Sequence, residues 1–208
     1  GKLNGEVLTV VLSADDGKIW LSCGDYYNDR LGYYDPESEK FTLLSYAAGD
    51  PNNIAGGRVK QLAKHPDGSI WAVASQGLIR VDPKALSARL ITKVDDVTLG
   101  IPEAILIDQK GNVWFSSGDQ IGRYIPTSQR LNIVTCSGIR QFSNAAAVAL
   151  ADGRFRFGGL GGIVAIQPNQ PLLAGNYPKI VFNSLSVAGQ STAVLPDLNE
   201  VSLRTGER

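Results

Sequence analysis

Residues 67–83 read DGSIWAVASQGLIRVDP. An Asp-Gly turn opens the stretch, and SIWAVA follows as a short run of β-branched, aromatic and small apolar residues. A Ser-Gln-Gly break separates it from LIRV, and Asp-Pro ends it. Gly adopts the positive φ of a tight turn without steric cost, whereas Pro cannot donate to a strand ladder. The stretch therefore predicts a turn, a strand, a second turn, a second strand and a stop.

The same grammar recurs along the chain. DDGKIWLS (15–22) pairs with LGYYDP (31–36), PDGSIWAV (66–73) with GLIRVDP (77–83), QKGNVWFS (109–116) with IGRYIP (121–126), and ADGRFRFG (151–158) with GIVAIQP (162–168). The turn glycines Gly17, Gly68, Gly111 and Gly153 are spaced by 51, 43 and 42 residues; the closing prolines Pro36, Pro83, Pro126 and Pro168 are spaced by 47, 43 and 42. In the second unit strands are expected at Val59 to Lys64, Ser69 to Ala74, Leu78 to Val81 and Arg89 to Thr92. Outer strands follow the prolines elsewhere, as at Lys40 to Leu44 and Arg130 to Val134.

Four short strands in a repeat of this length are the pattern of propeller blades, and no helical periodicity favours a solenoid instead. The expected fold class is all-β: four four-stranded β-propeller repeats, part of a larger ring, with a short C-terminal β segment. The repeats span about 5-57, 58-100, 101-143 and 144-168. The last departs from the others, because Arg156 stands where Trp20, Trp71 and Trp114 stand and no outer strand follows Pro168. An open set of blades exposes sheet edges, so residues near Leu3 to Val11 or Ile180 to Val187 are expected to fill one.

Composition narrows the function. The 208 residues hold 20 Lys+Arg against 20 Asp+Glu, a net charge of zero. Neither nucleic acid nor a membrane surface is an expected partner, since both require clustered cations. No run approaches the ~20 apolar residues of a spanning helix. With no Met and Gly1 at its start, the chain reads as an excised piece, and any export signal is expected outside it. Cys23 and Cys136 have no metal or redox spacing and read as small buried or semi-exposed thiols.

Candidates for chemistry are few. His65 is the single His and reads as a surface turn residue, which leaves no material for most hydrolytic triads or for a multi-His zinc site. Asp15/Asp16 and Asp95/Asp96 are sequence neighbours in turns, whereas paired catalytic carboxylates face each other across a cleft. Gly56-Gly57, Gly158-Gly159 and Gly161-Gly162 lack the strand, loop and helix context of a phosphate cradle. No catalytic residue, metal site or cofactor is expected. The three Trp read as rings filling the space between blades rather than as ligand platforms.

One insertion stands out. Trp to Pro spans 16 residues in the first unit but 12 in the second and third, enlarging the loop Gly24-Asp25-Tyr26-Tyr27-Asn28-Asp29-Arg30. Two aromatic rings with planar polar groups, on a loop of a rigid scaffold, suit sugars. Tyr26, Tyr27, Asn28, Asp29 and Arg30 are the candidate ligand-binding residues, joined by Asp119 and Gln120 on the equivalent loop of the third unit. A solvent loop or a blade-packing role is the plainer alternative.

DGSIWAVASQGLIRVDP (67–83) and GNVWFSSGDQIGRYIP (111–126) resemble two-component regulator propeller repeats, and AGDPNNIAGGRVKQL (48–62) is similar to that family's linker between blades. FRFGGLGGIVAIQP (155–168) followed by YPKIVFNSLSVAGQ (177–190) resembles the junction from the last blade into a triple-tyrosine immunoglobulin-like domain. The resemblance implies a linker at 169-177 and the first strands of that domain at 178-208. It implies the periplasmic, extracytoplasmic sensor region of an inner-membrane hybrid histidine kinase, dimeric as a whole and often controlling polysaccharide utilisation. An oligosaccharide is the ligand it suggests. A streptogramin-lyase-like propeller enzyme and a structural protein-protein platform are the alternatives.

Overall fold

The computed structural model describes residues 7–24, 29–44, 57–170, 185–187 and 190–192. Among them every regular element is a strand. The first sheet consists of β1 (Val7–Ser13), β2 (Ile19–Gly24), β3 (Asp29–Asp35) and β4 (Lys40–Leu43), in that order and antiparallel throughout. The second is built in the same way from β5 (Val59–Lys64), β6 (Ile70–Ala74), β7 (Gly77–Asp82) and β8 (Ser87–Ile91). A small ribbon of β9 (Lys93–Val94) and β10 (Val97–Thr98) precedes the third sheet, β11 (Pro102–Ile107), β12 (Val113–Ser117), β13 (Gln120–Ile125) and β14 (Arg130–Thr135). The fourth has β15 (Gln141–Ala149), β16 (Phe155–Leu160) and β17 (Gly162–Ile166). The strands expected from the repeat are present to within two residues at each end.

The chain divides into two compact units, Gly1–Gly175 and Asn176–Arg208. The four sheets belong to the first. In the second, β18 (Leu185–Val187) pairs with β19 (Gln190–Thr192). Val7–Ser13 pairs as the inner strand of its own blade, and the fourth sheet keeps three strands among the described residues. Of the two segments expected to fill an edge, the described part of Leu3 to Val11 does pair with a blade, and the blade is the first itself. Most of Ile180 to Val187 lies outside the described residues.

Why consecutive sheets stack is read from strand parity. Successive side chains on a strand point to opposite faces. On β6, Ile70, Ala72 and Ala74 pack with Trp20 and Leu31 of the first blade, while Trp71 and Val73 pack with Ile105, Val113 and Phe115 of the third. All five β6 residues are consequently buried, which explains an apolar run without alternation. Trp114 repeats the arrangement with Phe155 and Phe157 of the fourth blade. Each Trp therefore fills the gap to the following blade, as expected, and all three are at most 1% exposed.

Turn chemistry holds the repeat in register. Gly17, Gly68, Gly111 and Gly153 adopt φ of 80°, 86°, 78° and 80°. On the fourth blade Phe155 and Phe157 face the third blade, so Arg156 and its cross-strand neighbour Val148 face the other way. Val148, Leu160 and Ile163 are 51%, 60% and 73% exposed, an apolar strip on the face that no further blade covers among the described residues.

Candidate functional site

The first rim of the blades carries the loops singled out in the sequence. Tyr26, Tyr27 and Asn28 lie outside the described residues. Asp29 opens β3 opposite Gly24, and Arg30, opposite Cys23, is exposed. Asp119 and Gln120 form the tight β12–β13 turn. The Asp119 carbonyl accepts from the Cys136 amide at 2.9 Å, and Gln120 Nε2 donates to Thr135 Oγ1 at 3.4 Å. These two adjoin each other on the third blade, whereas Arg30 sits on the first, with the second blade between. Cys23 is buried and Cys136 half-buried, and no disulfide joins them.

The opposite rim has a feature that the sequence reading missed. All four turns that join an inner strand to the next close with the same pair of backbone bonds: Ala14 N to Lys18 O and Gly17 N to Ala14 O, then His65/Ser69/Gly68, Asp108/Asn112/Gly111 and Leu150/Arg154/Gly153 in the same roles. Ala14, His65, Asp108 and Leu150 are therefore structurally equivalent. So are Lys18, Ser69, Asn112 and Arg154.

What fills these slots differs from blade to blade. In the third, buried Asp108 accepts from the Lys110 and Asn112 amides, from Asn112 Nδ2 and from Trp114 Nε1 at 2.8–2.9 Å. In the second, Trp71 Nε1 donates to Ser69 Oγ at 3.1 Å, and the Ser69 hydroxyl in turn donates to Asp67. His65 lies in the expected turn, but its side chain is only 10% exposed, because Nε2 reaches the Gly111 carbonyl of the third blade at 2.8 Å. The surface-turn expectation for His65 is corrected on this point: the ring seals the gap between two blades.

In the first blade both slots lack an acceptor at the right height. Ala14 has no polar atom beyond its backbone, and Lys18 turns its ammonium to Asp16 at 3.1 Å and over the Tyr33 ring. Buried Trp20 Nε1 is left without a hydrogen-bond partner. Where His65 plugs the next gap, Ala14 leaves space: a cleft of about 400 Å³ lined by Ala14, Asp15, Trp20, Lys64, Arg80 and Lys84, among others.

Charged side chains of both signs ring the cleft. Asp15 pairs with Lys64 at 2.6 Å, bridging the first two blades, and Asp67 pairs with Arg80 at 2.9 Å. Burial pushes the Asp67 carboxyl up, but bonds from the Ser69 hydroxyl and amide and from His65 outweigh it and hold the group well below the usual carboxylate range. Asp82 accepts from the Lys84 and Ala85 amides, and these bonds lower its pKa. Among the described residues no three His, Cys, Asp or Glu side chains gather as a metal-ligand set.

No protein-family model matches the chain, and no curated protein matches it. Solved structures do match in shape. The extracellular domain of a hybrid two-component system from B. thetaiotaomicron superposes with TM-score 0.64 at 17% identity, over 78% of this chain and 22% of that one. A second such domain from the same organism gives 0.58 at 19%, over 76% and 20%. Virginiamycin B lyase from Staphylococcus aureus gives 0.59 at 15%, over 82% and 59%.

The fold is a β-propeller. The propeller blades here span about a fifth of the length of the sensor chains they match. At these identities the likeness speaks to the propeller fold, which sensors and lyases share.

Proposed function

We propose that this chain belongs to the extracytoplasmic, periplasmic region of a hybrid two-component sensor histidine kinase, anchored in the inner membrane and working as a dimer. Its ligand in this reading is a glycan-derived oligosaccharide, which it binds without turning it over. The observation that carries the proposal is the similarity of its blades to extracellular domains of hybrid two-component systems. Tyr26, Tyr27, Asn28, Asp29 and Arg30 are the proposed rim contacts, with Asp119 and Gln120 on the third blade.

The blades at 1-168 would be part of a larger ring, a reading supported by the exposed apolar strip of Val148, Leu160 and Ile163. Residues 169-177 would lead into an immunoglobulin-like domain beginning at 178-208. Ligand binding would bias the packing between propeller and that domain, and so the balance between two states of the dimer.

The lyase reading is favoured by one observation, the propeller shared with virginiamycin B lyase. A single His in the whole chain weighs against it. The test is autophosphorylation of the intact membrane-bound parent, titrated with neutral oligosaccharides. A saturable change in rate with one glycan class supports the sensor, while an unchanged rate together with disappearance of the glycan supports the lyase.

A further inference from the structure

We propose that the cleft between the first and second blades is a binding site for a neutral, polyhydroxylated ligand, the chemistry of a saccharide unit, with the Trp20 indole N–H as its buried donor. The proposal deepens the oligosaccharide reading and rests on it, but places the contact on the rim opposite to the Tyr26–Arg30 loop.

The propeller supplies its own controls. Three equivalent indoles exist, and two have acceptors: a hydroxyl for Trp71 and a carboxylate for Trp114. Both acceptors come from the turn beside the ring, so the indole N–H of the repeat points to that rim. Trp20 is 1% exposed, lines the cleft and has no acceptor. A buried donor left unpaired is costly, so an oxygen delivered into the Ala14 space gains more there than at a hydrated surface. The free space is where the His65 imidazole sits one gap further on, which sets the size of the group that enters: a ring of five or six atoms.

Charge selects the class. The acids of the lining, Asp15, Asp16, Asp67 and Asp82, stand against Lys64, Arg80 and Lys84 of the lining and Lys18 beside it, with Asp15 paired to Lys64, Asp16 to Lys18 and Asp67 to Arg80. No excess of either sign draws in an anion or a cation. Carboxylates and ammonium groups standing together around a cavity offer acceptors and donors side by side, as vicinal hydroxyls require. Lys84, also in the lining, makes no ion pair among the described residues and can donate to a ring hydroxyl. The volume lies within the usual range of small-ligand clefts, roughly 300–1,000 Å³.

The test is proton–nitrogen NMR of the labelled chain, whose three Trp give three indole signals. Glucose, galactose, mannose and xylose, and short neutral oligomers of each, are titrated singly. The expected result is a saturable shift of the Trp20 indole signal with at least one sugar, while the Trp71 and Trp114 signals stay in place. Ala14→Asp copies the acceptor of the third blade into the slot, and should abolish the shift and weaken binding by at least about tenfold, the loss expected when one buried polar contact of about 1.4 kcal/mol is removed. Should Ala14→Asp fail to fold, Lys84→Ala carries the test, with a several-fold loss of affinity expected. A sugar that binds with the Trp20 signal unmoved, and equally well to these variants, overturns the site while leaving the oligosaccharide reading intact. Binding of none of the sugars overturns both. A shift caused by glucuronate but by no neutral sugar overturns the ligand class.

Discussion

His65 Nε2 lies 2.8 Å from the carbonyl oxygen of Gly111, so the single histidine of the chain ties the turn of the second blade to the turn of the third. Along the inner strands of the same two blades, Gln61 Oε1 accepts from the Ile105 amide at 2.9 Å, and Lys60 reaches Glu103 at 2.6 Å. The contact between these blades therefore combines polar bonds between β5 and β11 with the apolar packing of Trp71 and Val73 on Val113 and Phe115. His65→Ala should lower stability by about 1–3 kcal/mol, through the lost bond and the space left behind. Chemical denaturation measures it; an unchanged midpoint would mean that the apolar packing alone holds the gap.

Asp108 is the second polar anchor. It is 6% exposed and serves four donors. Asp108→Ala leaves the Trp114 and Asn112 donors unpaired and should cost about 2–4 kcal/mol, at the upper end for a single substitution. Thermal unfolding followed by Trp fluorescence reads the loss.

Acid should weaken the second blade through Asp67. Its folded pKa is depressed, so its contribution is fully present above the unfolded value, near pH 4. That contribution is lost as pH falls through the lower folded value. Asp67→Asn should flatten the decline in stability below about pH 4 relative to the wild type, without steepening it at neutral pH. Urea midpoints taken from pH 7 down to pH 2 supply the comparison.

Leu86 holds φ of 51° in the turn between β7 and β8, as Glu39 and Gln129 do in the equivalent turns with 54° and 53°. A left-handed conformation costs an L-residue roughly 1–2 kcal/mol. Since Leu86 is 41% exposed, Leu86→Gly gives up little packing and should raise stability by about 0.5–1 kcal/mol. A fall in melting temperature would show that its side chain packs better than its exposure suggests.

Ile163, 73% exposed on the face of the fourth blade that no further blade covers among the described residues, should matter for association rather than folding. Ile163→Lys should change stability by less than about 0.5 kcal/mol while reducing self-association at high concentration in sedimentation velocity. Equal association by the two proteins would remove the strip as a contact.

Much of the fold was legible because the repeat states it four times. Asp-Gly or Lys-Gly fixes a turn and Pro ends the third strand; a Trp three residues after the turn Gly fixes the packed face, and Trp20, Trp71 and Trp114 behave alike. The cleft was also written in the sequence, in the substitution of Ala14 for His65 or Asp108 at matching positions. It escaped notice because a missing side chain gains meaning only when the neighbouring blades show what belongs in the slot. The burial of His65 was hidden for a related reason: its partner is a backbone carbonyl 46 residues away, and no local pattern encodes that pairing.

Isothermal titration calorimetry of this chain with a panel of neutral oligosaccharides, with each sugar recovered and analysed afterwards, tests the sensing account most directly. Saturable binding of one glycan class, with the glycan recovered intact, is the result it predicts. Silence across the panel, or recovery of a cleaved product, would contradict it.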